Sequence, residues 1–190
     1  MSKLLGLDIS TSCTGWCVLD TEQPPGQQKV DFGYILISAE KGSYRKAQKV
    51  LRTLVDLSKK HKIQHVYIEE NLQTFRTGLS SAKTLATLAR FNGIVSYLCE
   101  ETFNCEPNFL NVNNARKQVG MKLIRKSKGG KPTKEQVLDW VQCEIIDKSV
   151  WPTKKLKSGP RKGVVILDPV CYDMADAYVI ARAGLMNICV

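Results

Sequence analysis

Four carboxylates interrupt or close apolar stretches of this chain, and their number and type suit a divalent-cation site. Asp8 lies inside Leu4-Leu5-Gly6-Leu7-Asp8-Ile9, and Glu69 closes the run Val66-Tyr67-Ile68-Glu69-Glu70. Asp173 and Asp176 stand three apart in Asp173-Met174-Ala175-Asp176-Ala177-Tyr178. One carboxylate in apolar surroundings is costly, and four gathered together require a cation to neutralise them. Oxygen donors without His or Cys suit Mg²⁺ or Mn²⁺. Two such ions about 3.5–4 Å apart activate a water and stabilise the leaving oxygen in phosphodiester cleavage. The expected metal ligands are therefore Asp8, Glu69, Asp173 and Asp176, with two ions in the site. Adjacent strand residues face opposite ways, so only one of Glu69 and Glu70 can enter it.

The body around these acids is basic. The chain has 190 residues, 28 Lys and Arg against 18 Asp and Glu, and a formal charge of +10. Half of the basic residues, 14, fall between positions 115 and 162, where the acids are Glu135, Asp139, Glu144 and Asp147; the rest of the chain balances. A field concentrated in this way attracts polyanions in a salt-dependent manner, although a solvated lysine-rich surface gives the same count. The cysteines number seven and are scattered, without a Cys-x-x-Cys pair. Reduced thiols in a reducing intracellular compartment are expected, not a disulfide framework. Cys13 and Cys17 lack a second ligand pair, and His61 and His65 lack the Glu of a zinc-protease motif, so neither pair points to zinc. No signal peptide or membrane span is indicated.

The acids need particular elements to position them. Residues 3 to 9 and 15 to 20 read as two strands of a hairpin around a Ser/Thr-rich turn, with a third strand at Val30 to Ile37. Helical periodicity covers 44 to 61, followed by a strand at Val66 to Glu69. A loop from Gln73 to Gly78 precedes a long helix over 79 to 103, capped by Ser80 or Ser81. Phe109 to Val112 suggests a short strand and Asn113 to Gly120 a turn. Lys122 to Pro132 is a basic loop, and Thr133-Lys134-Glu135-Gln136 opens a helix reaching Ile146. Trp151 to Gly163 is a second basic loop, Val164 to Leu167 an extra strand, and Tyr172 to Met186 the last helix. The order predicts one α/β sandwich over residues 1–190. Asp173 and Asp176 would project from the first turn of the last helix, with Gly6 and Ser10 leaving room beside Asp8 for metal and phosphate.

The motifs taken together resemble the RuvC-type Holliday-junction resolvases. Leu5-Gly6-Leu7-Asp8-Ile9 with Thr14-Gly15-Trp16 is similar to the family's Gly-Ile-Asp-Pro-Gly…Thr-Gly opening. Tyr67-Ile68-Glu69-Glu70 resembles its second acidic motif, and Asp173-Met174-Ala175-Asp176-Ala177 its terminal Asp-Ala-Ala-Asp-Ala. Asn114-Ala115-Arg116-Lys117-Gln118-Val119-Gly120 is similar to its Arg-x-Val-Lys stretch, and the order holds through nearly the whole chain. The resemblance implies an RNase H-like (RuvC-like) mixed sheet of about five strands flanked by helices. It also implies a homodimer that makes paired nicks in four-way DNA junctions with Mg²⁺. It favours Glu69 over Glu70 and carries catalysis to Asp8, Glu69, Asp173, Asp176 and Lys134. Arg116, Lys117, Lys122, Arg125, Lys126, Lys128 and Lys131 would bind DNA backbone. The position of the family's aromatic wedge falls on Leu72, with Phe75 three residues on, and either would stack on an unpaired base. Ser10 and Thr11 stand where bacterial members have Pro-Gly, and the loop from Trp151 to Leu167 is longer, which suggests a viral, phage or organellar branch.

The helix over 79 to 103 is apolar on more than one face through Leu85, Leu88, Ala89 and Phe91. That pattern suits burial against both the sheet and a partner subunit, so it is the expected homodimer interface. Three other readings stay open. A flap, fork or RNA-processing nuclease would share the same acids. A branched-DNA-binding protein without catalysis would share the charge. The turn after Asp8 also resembles the first phosphate loop of actin-like and sugar kinases, which need a second domain of similar size.

Overall fold

Alternation in the first apolar run sorts side chains onto two faces of a sheet. The computed structural model describes residues 2–23, 31–70, 82–145 and 150–188. Strand β1 (Lys3–Ile9) sends Leu5, Leu7 and Ile9 into one apolar cluster and Leu4 into another, with Gly6 and Asp8 sharing the face of Leu4. Strand β2 (Cys13–Asp20) returns antiparallel to β1, with Asp8 opposite Gly15, and β3 (Asp31–Leu36) adds the outer edge. Strand β4 (Ile63–Glu69) lies parallel to β1 on the other side, followed by the short β5 (Asn108–Leu110). The five-stranded order is β3-β2-β1-β4-β5. A mixed sheet of about five strands is what the family resemblance implies, and β1 lies at its centre.

Helices α1 (Ser43–Lys60) and α2 (Ala82–Phe103) cover the face of Leu5 and Leu7, burying Val50, Leu54, Phe91 and Val95 against it. The opposite face is covered by α5 (Val170–Ile188), with α3 (Val112–Gln118) and α4 (Thr133–Glu144) packed behind it. Helix α5 buries twelve of its residues, from Val170 to Leu185, and is the most enclosed helix of the fold.

Three differences from the expected elements bear on the site and its surroundings. Residues 112–118 form a helix where a turn was expected, because Asn111 accepts from the backbone N–H groups of Asn113 and Asn114 and so caps it. The final helix starts two residues earlier, at Val170, whose N–H is taken by the Asp168 carboxylate. Asp173 therefore lies in the first turn and Asp176 one turn further on, not both in the first. The second basic loop is a hairpin, with β6 (Thr153–Lys155) paired antiparallel to β7 (Val165–Leu167). Ser80, Ser81 and the loop 73–78 lie outside the described residues. The six described cysteines are free thiols, and no helix among the described residues is long and apolar enough to cross a membrane.

Candidate active site

The parallel pairing of β1 with β4 sets the first two acids side by side. Leu7 is in register with Ile68, so one further step places Asp8 next to Glu69. Tyr67 packs into the cluster beneath α5 while Val66 and Ile68 pack into the other, which puts Glu69 on the face of Asp8. The Asp8 and Glu69 carboxyl groups are hydrogen-bonded. Glu70 follows the last strand residue, its N–H bonded to the Leu110 carbonyl at 2.8 Å, and the alternation aims it away. Buried Asn92 of α2 reaches the Glu69 carbonyl with its side-chain amide at a long 3.5 Å, and thus braces the end of β4.

Small residues bring the other two acids to this place. A Cβ on Gly6 would meet Ala181 Cβ at 2.6 Å, and one on Gly15 would meet the Asp173 carbonyl oxygen at 2.0 Å. A Cβ on Gly184 would strike the Tyr67 ring at 2.5 Å. Helix α5 therefore sits directly on the backbone of β1 and β2, and its own bare backbone at Gly184 is pressed against the Tyr67 ring of β4. The space above Gly6 is filled by helix and is not left open for metal or phosphate. Ser10 likewise serves the turn, donating to the Cys13 carbonyl at 2.6 Å and accepting from the Cys13 N–H at 3.1 Å. The Lys46 ammonium of α1 holds the same turn by the Thr11 carbonyl.

The resulting pocket is overloaded with negative charge. Burial, followed by the charges of Glu69, Asp176 and Asp173, pushes Asp8 far above the usual carboxylate range. Glu69 is pushed up to about 7 by burial and then by Asp176, while Arg116 and the bond from Asp8 pull it down. Burial also raises Asp173, opposed chiefly by a hydrogen bond from the Cys13 thiol, and raises Asp176, opposed by Arg116. Mutual repulsion links all four acids, as their dispersed positions along the chain require if they share a site. Among the described residues no group of three or more His, Cys, Asp or Glu side chains is set so that it could hold a metal ion as it stands. The site is an electrostatic well of oxygen donors, and that donor chemistry fits Mg²⁺ or Mn²⁺.

Two basic groups stand at its rim. The Arg116 guanidinium donates to Asp176 Oδ1 at 2.8 Å, with side chains only 14% and 16% exposed. Lys134 lies near enough to Asp173 to lower it, and its ammonium is 4.7 Å from the centre of the Tyr172 ring. The first turn of α4 thus carries Lys134 to the acids. Lys117, Lys122, Arg125, Lys126 and Lys128 are exposed on α3 and the loop that follows it. Lys131 is exposed as well and pairs with Asp139 at 2.7 Å. Leu72 and Phe75 lie outside the described residues. The acid-pairing position of Arg116 and the bracing by Asn92 and Cys13 were missed from sequence. A polar Asn inside the buried stripe of a helix was the one available signal.

No protein-family model and no curated protein sequence matches this chain. Solved structures do. The RuvC of Thermus thermophilus in complex with a Holliday junction superposes with a TM-score of 0.62 at 13% identity, over 96% of this chain and 92% of that one. This is the RuvC fold. The yeast mitochondrial Holliday junction resolvase Ydc2 gives 0.55 at 14% identity, over 97% of this chain and 78% of that one. The fowlpox virus resolvase, solved with Holliday junction DNA, gives 0.51 at 11% identity over 98% of both chains. At such identities the likeness is one of fold, and the RuvC fold here is the RNase H-like mixed sheet flanked by helices that the motifs imply.

Proposed function

We propose that this protein is a metal-dependent endonuclease that resolves branched DNA, cutting four-way junctions by paired nicks from a homodimer. The observation that carries the reading is the meeting of Asp8, Glu69, Asp173 and Asp176 at one end of β1, β4 and α5, inside a chain of charge +10. The resolvases named above, whose fold this chain shares across its length, support the choice of a four-way junction as substrate.

The four carboxylates would hold two Mg²⁺ ions, with Mn²⁺ as a substitute, and each residue has a definable task. When bound, the ions supply Lewis-acid activation of water and neutralise charge on the cleaved phosphate. Asp8 and Glu69, side by side on β1 and β4, would serve as two of the ligands. Asp173 and Asp176 present further oxygens from consecutive turns of α5. Lys134, held over Tyr172 beside Asp173, meets the negative charge that grows on the phosphate. Lys117, Lys122, Arg125, Lys126 and Lys128 bind the DNA backbone and register its shape, not its sequence.

A homodimer would match the approximate two-fold symmetry of a junction. Support comes from α2, whose first half, from Ala82 to Arg90, is exposed apart from half-buried Leu85 and Leu88. Between α1 and α2 lies an apolar cleft of about 510 Å³ lined by Ala47, Leu51, Ile94 and Leu98, with Tyr44 and Tyr97 exposed at its edge. A synthetic four-way junction tests the whole reading. Cleavage is expected with Mg²⁺ and is lost without it. In Asp8→Asn or Asp173→Asn it drops at least about a hundredfold, the scale on which one charge-stabilising group matters. Full activity in either variant would refute the assignment. Cutting of Y-forks or RNA hybrids in preference to junctions would point to the sister activities of the fold.

A further inference from the structure

Arg116 stands out among the basic residues because it faces inward. Its guanidinium is bonded to Asp176 at 2.8 Å, and its charge pulls down both Asp176 and Glu69. Its Nε is buried with no hydrogen-bond partner, so the group is committed to the acids without being fully satisfied by them. A guanidinium with an orphaned N–H in a low-dielectric pocket carries a penalty that an alternative arrangement relieves. It comes from the last turn of α3, which is capped at its start by Asn111 and packed on α5, so its backbone is fixed. The side chain alone can move.

We propose that Arg116 is a resident counter-cation that competes with the divalent ion for Asp176. In the metal-free protein it neutralises part of the pocket and ties α3 to α5. When an ion takes the carboxylates, the guanidinium is repelled and gives up Asp176. The affinity of the site for metal is thereby set below what its four acids alone would confer. This rests on the metal-site reading above, and the experiment separates the two.

Mn²⁺ binding is measured without DNA, by the electron paramagnetic resonance of free Mn²⁺, for the wild type, Arg116→Gln, Arg116→Lys and Asp8→Asn, alongside thermal melts with and without Mn²⁺. Arg116→Gln is expected to bind on the order of tenfold more tightly than the wild type, the size of an ordinary coupling between two sites. Without metal it should melt lower than the wild type and recover more on adding Mn²⁺. Arg116→Lys, which keeps the charge on a group of different reach and preserves the fold if the Gln variant does not, should fall between. Equal or weaker binding in both Arg116 variants, with Asp8→Asn still abolishing it, overturns the counter-cation role and leaves the metal site standing. Mn²⁺ binding that is absent in the wild type, or indifferent to Asp8→Asn, overturns both.

Discussion

At the scale of the residue, the acids behave as one group. Burial and the neighbouring carboxylates push both Asp8 and Glu69 above the usual carboxylate range. This fixes the sign of a pH effect on the metal-free protein. Glu69 is raised from 4.5 in the unfolded chain to about 7 in the fold. Below about 4.5 both states are protonated; between there and about 7 the folded state keeps a proton that the unfolded state has lost, so stability falls as pH rises. Thermal melts in chelator should therefore show a lower Tm at pH 8 than at pH 5, by the equivalent of on the order of 2–3 kcal/mol, with Asp8 acting in the same direction. Mg²⁺ should abolish most of the fall. A Tm that rises with pH in chelator would contradict the raised Glu69 carboxyl. The identity of these acids was legible in sequence because an Asp amid Leu and Ile has no structural benefit of its own. The inward turn of Arg116 was not, since a helical Arg beside a Lys reads as surface until the neighbouring helix is placed.

At the scale of the element, the site exists because α5 lies on bare backbone. Gly6 and Gly15 are the two positions of β1 and β2 where a methyl group would push that helix away. Gly15→Ala should destabilise the protein by about 1–3 kcal/mol, the usual cost of overpacking, and shift Asp173 from its partners. Denaturant titration reads the first effect, and Mn²⁺ affinity the second. Unchanged stability and metal binding would show that α5 does not need this close seat. The two strands, the terminal helix and the strand near Val164 to Leu167 were readable from apolar period and length, whereas α3 and the β6 strand that pairs with β7 were not. The short helix depends on a cap at Asn111, and β6 is three residues long, too brief for any period to register.

At the scale of the whole molecule, the proposed dimer would have to bring charge and symmetry to the same DNA. The exposed lysines after α3 and the acids at the end of β1 belong to one continuous stretch of fold joined through Arg116 and Lys134. The exposed half of α2 and the cleft against α1 offer a face for a second copy. Leu88→Glu with Tyr97→Glu should convert a dimer to a monomer in analytical ultracentrifugation, with the fold intact by circular dichroism and paired nicking reduced to slow single nicks. A monomeric wild type, or a dimer indifferent to both changes, would place the interface elsewhere. The longer strands and helices could be foreseen from pattern and the sheet from the family resemblance; the assembly requires a surface that neither describes.

Anomalous diffraction from crystals soaked in Mn²⁺ would look at the acidic pocket itself. Density for Mn²⁺ is expected among the carboxylates of Asp8, Glu69, Asp173 and Asp176, with the Arg116 guanidinium withdrawn from Asp176. A pocket that stays free of Mn²⁺ at saturating concentration, with Arg116 still on Asp176, would contradict that expectation.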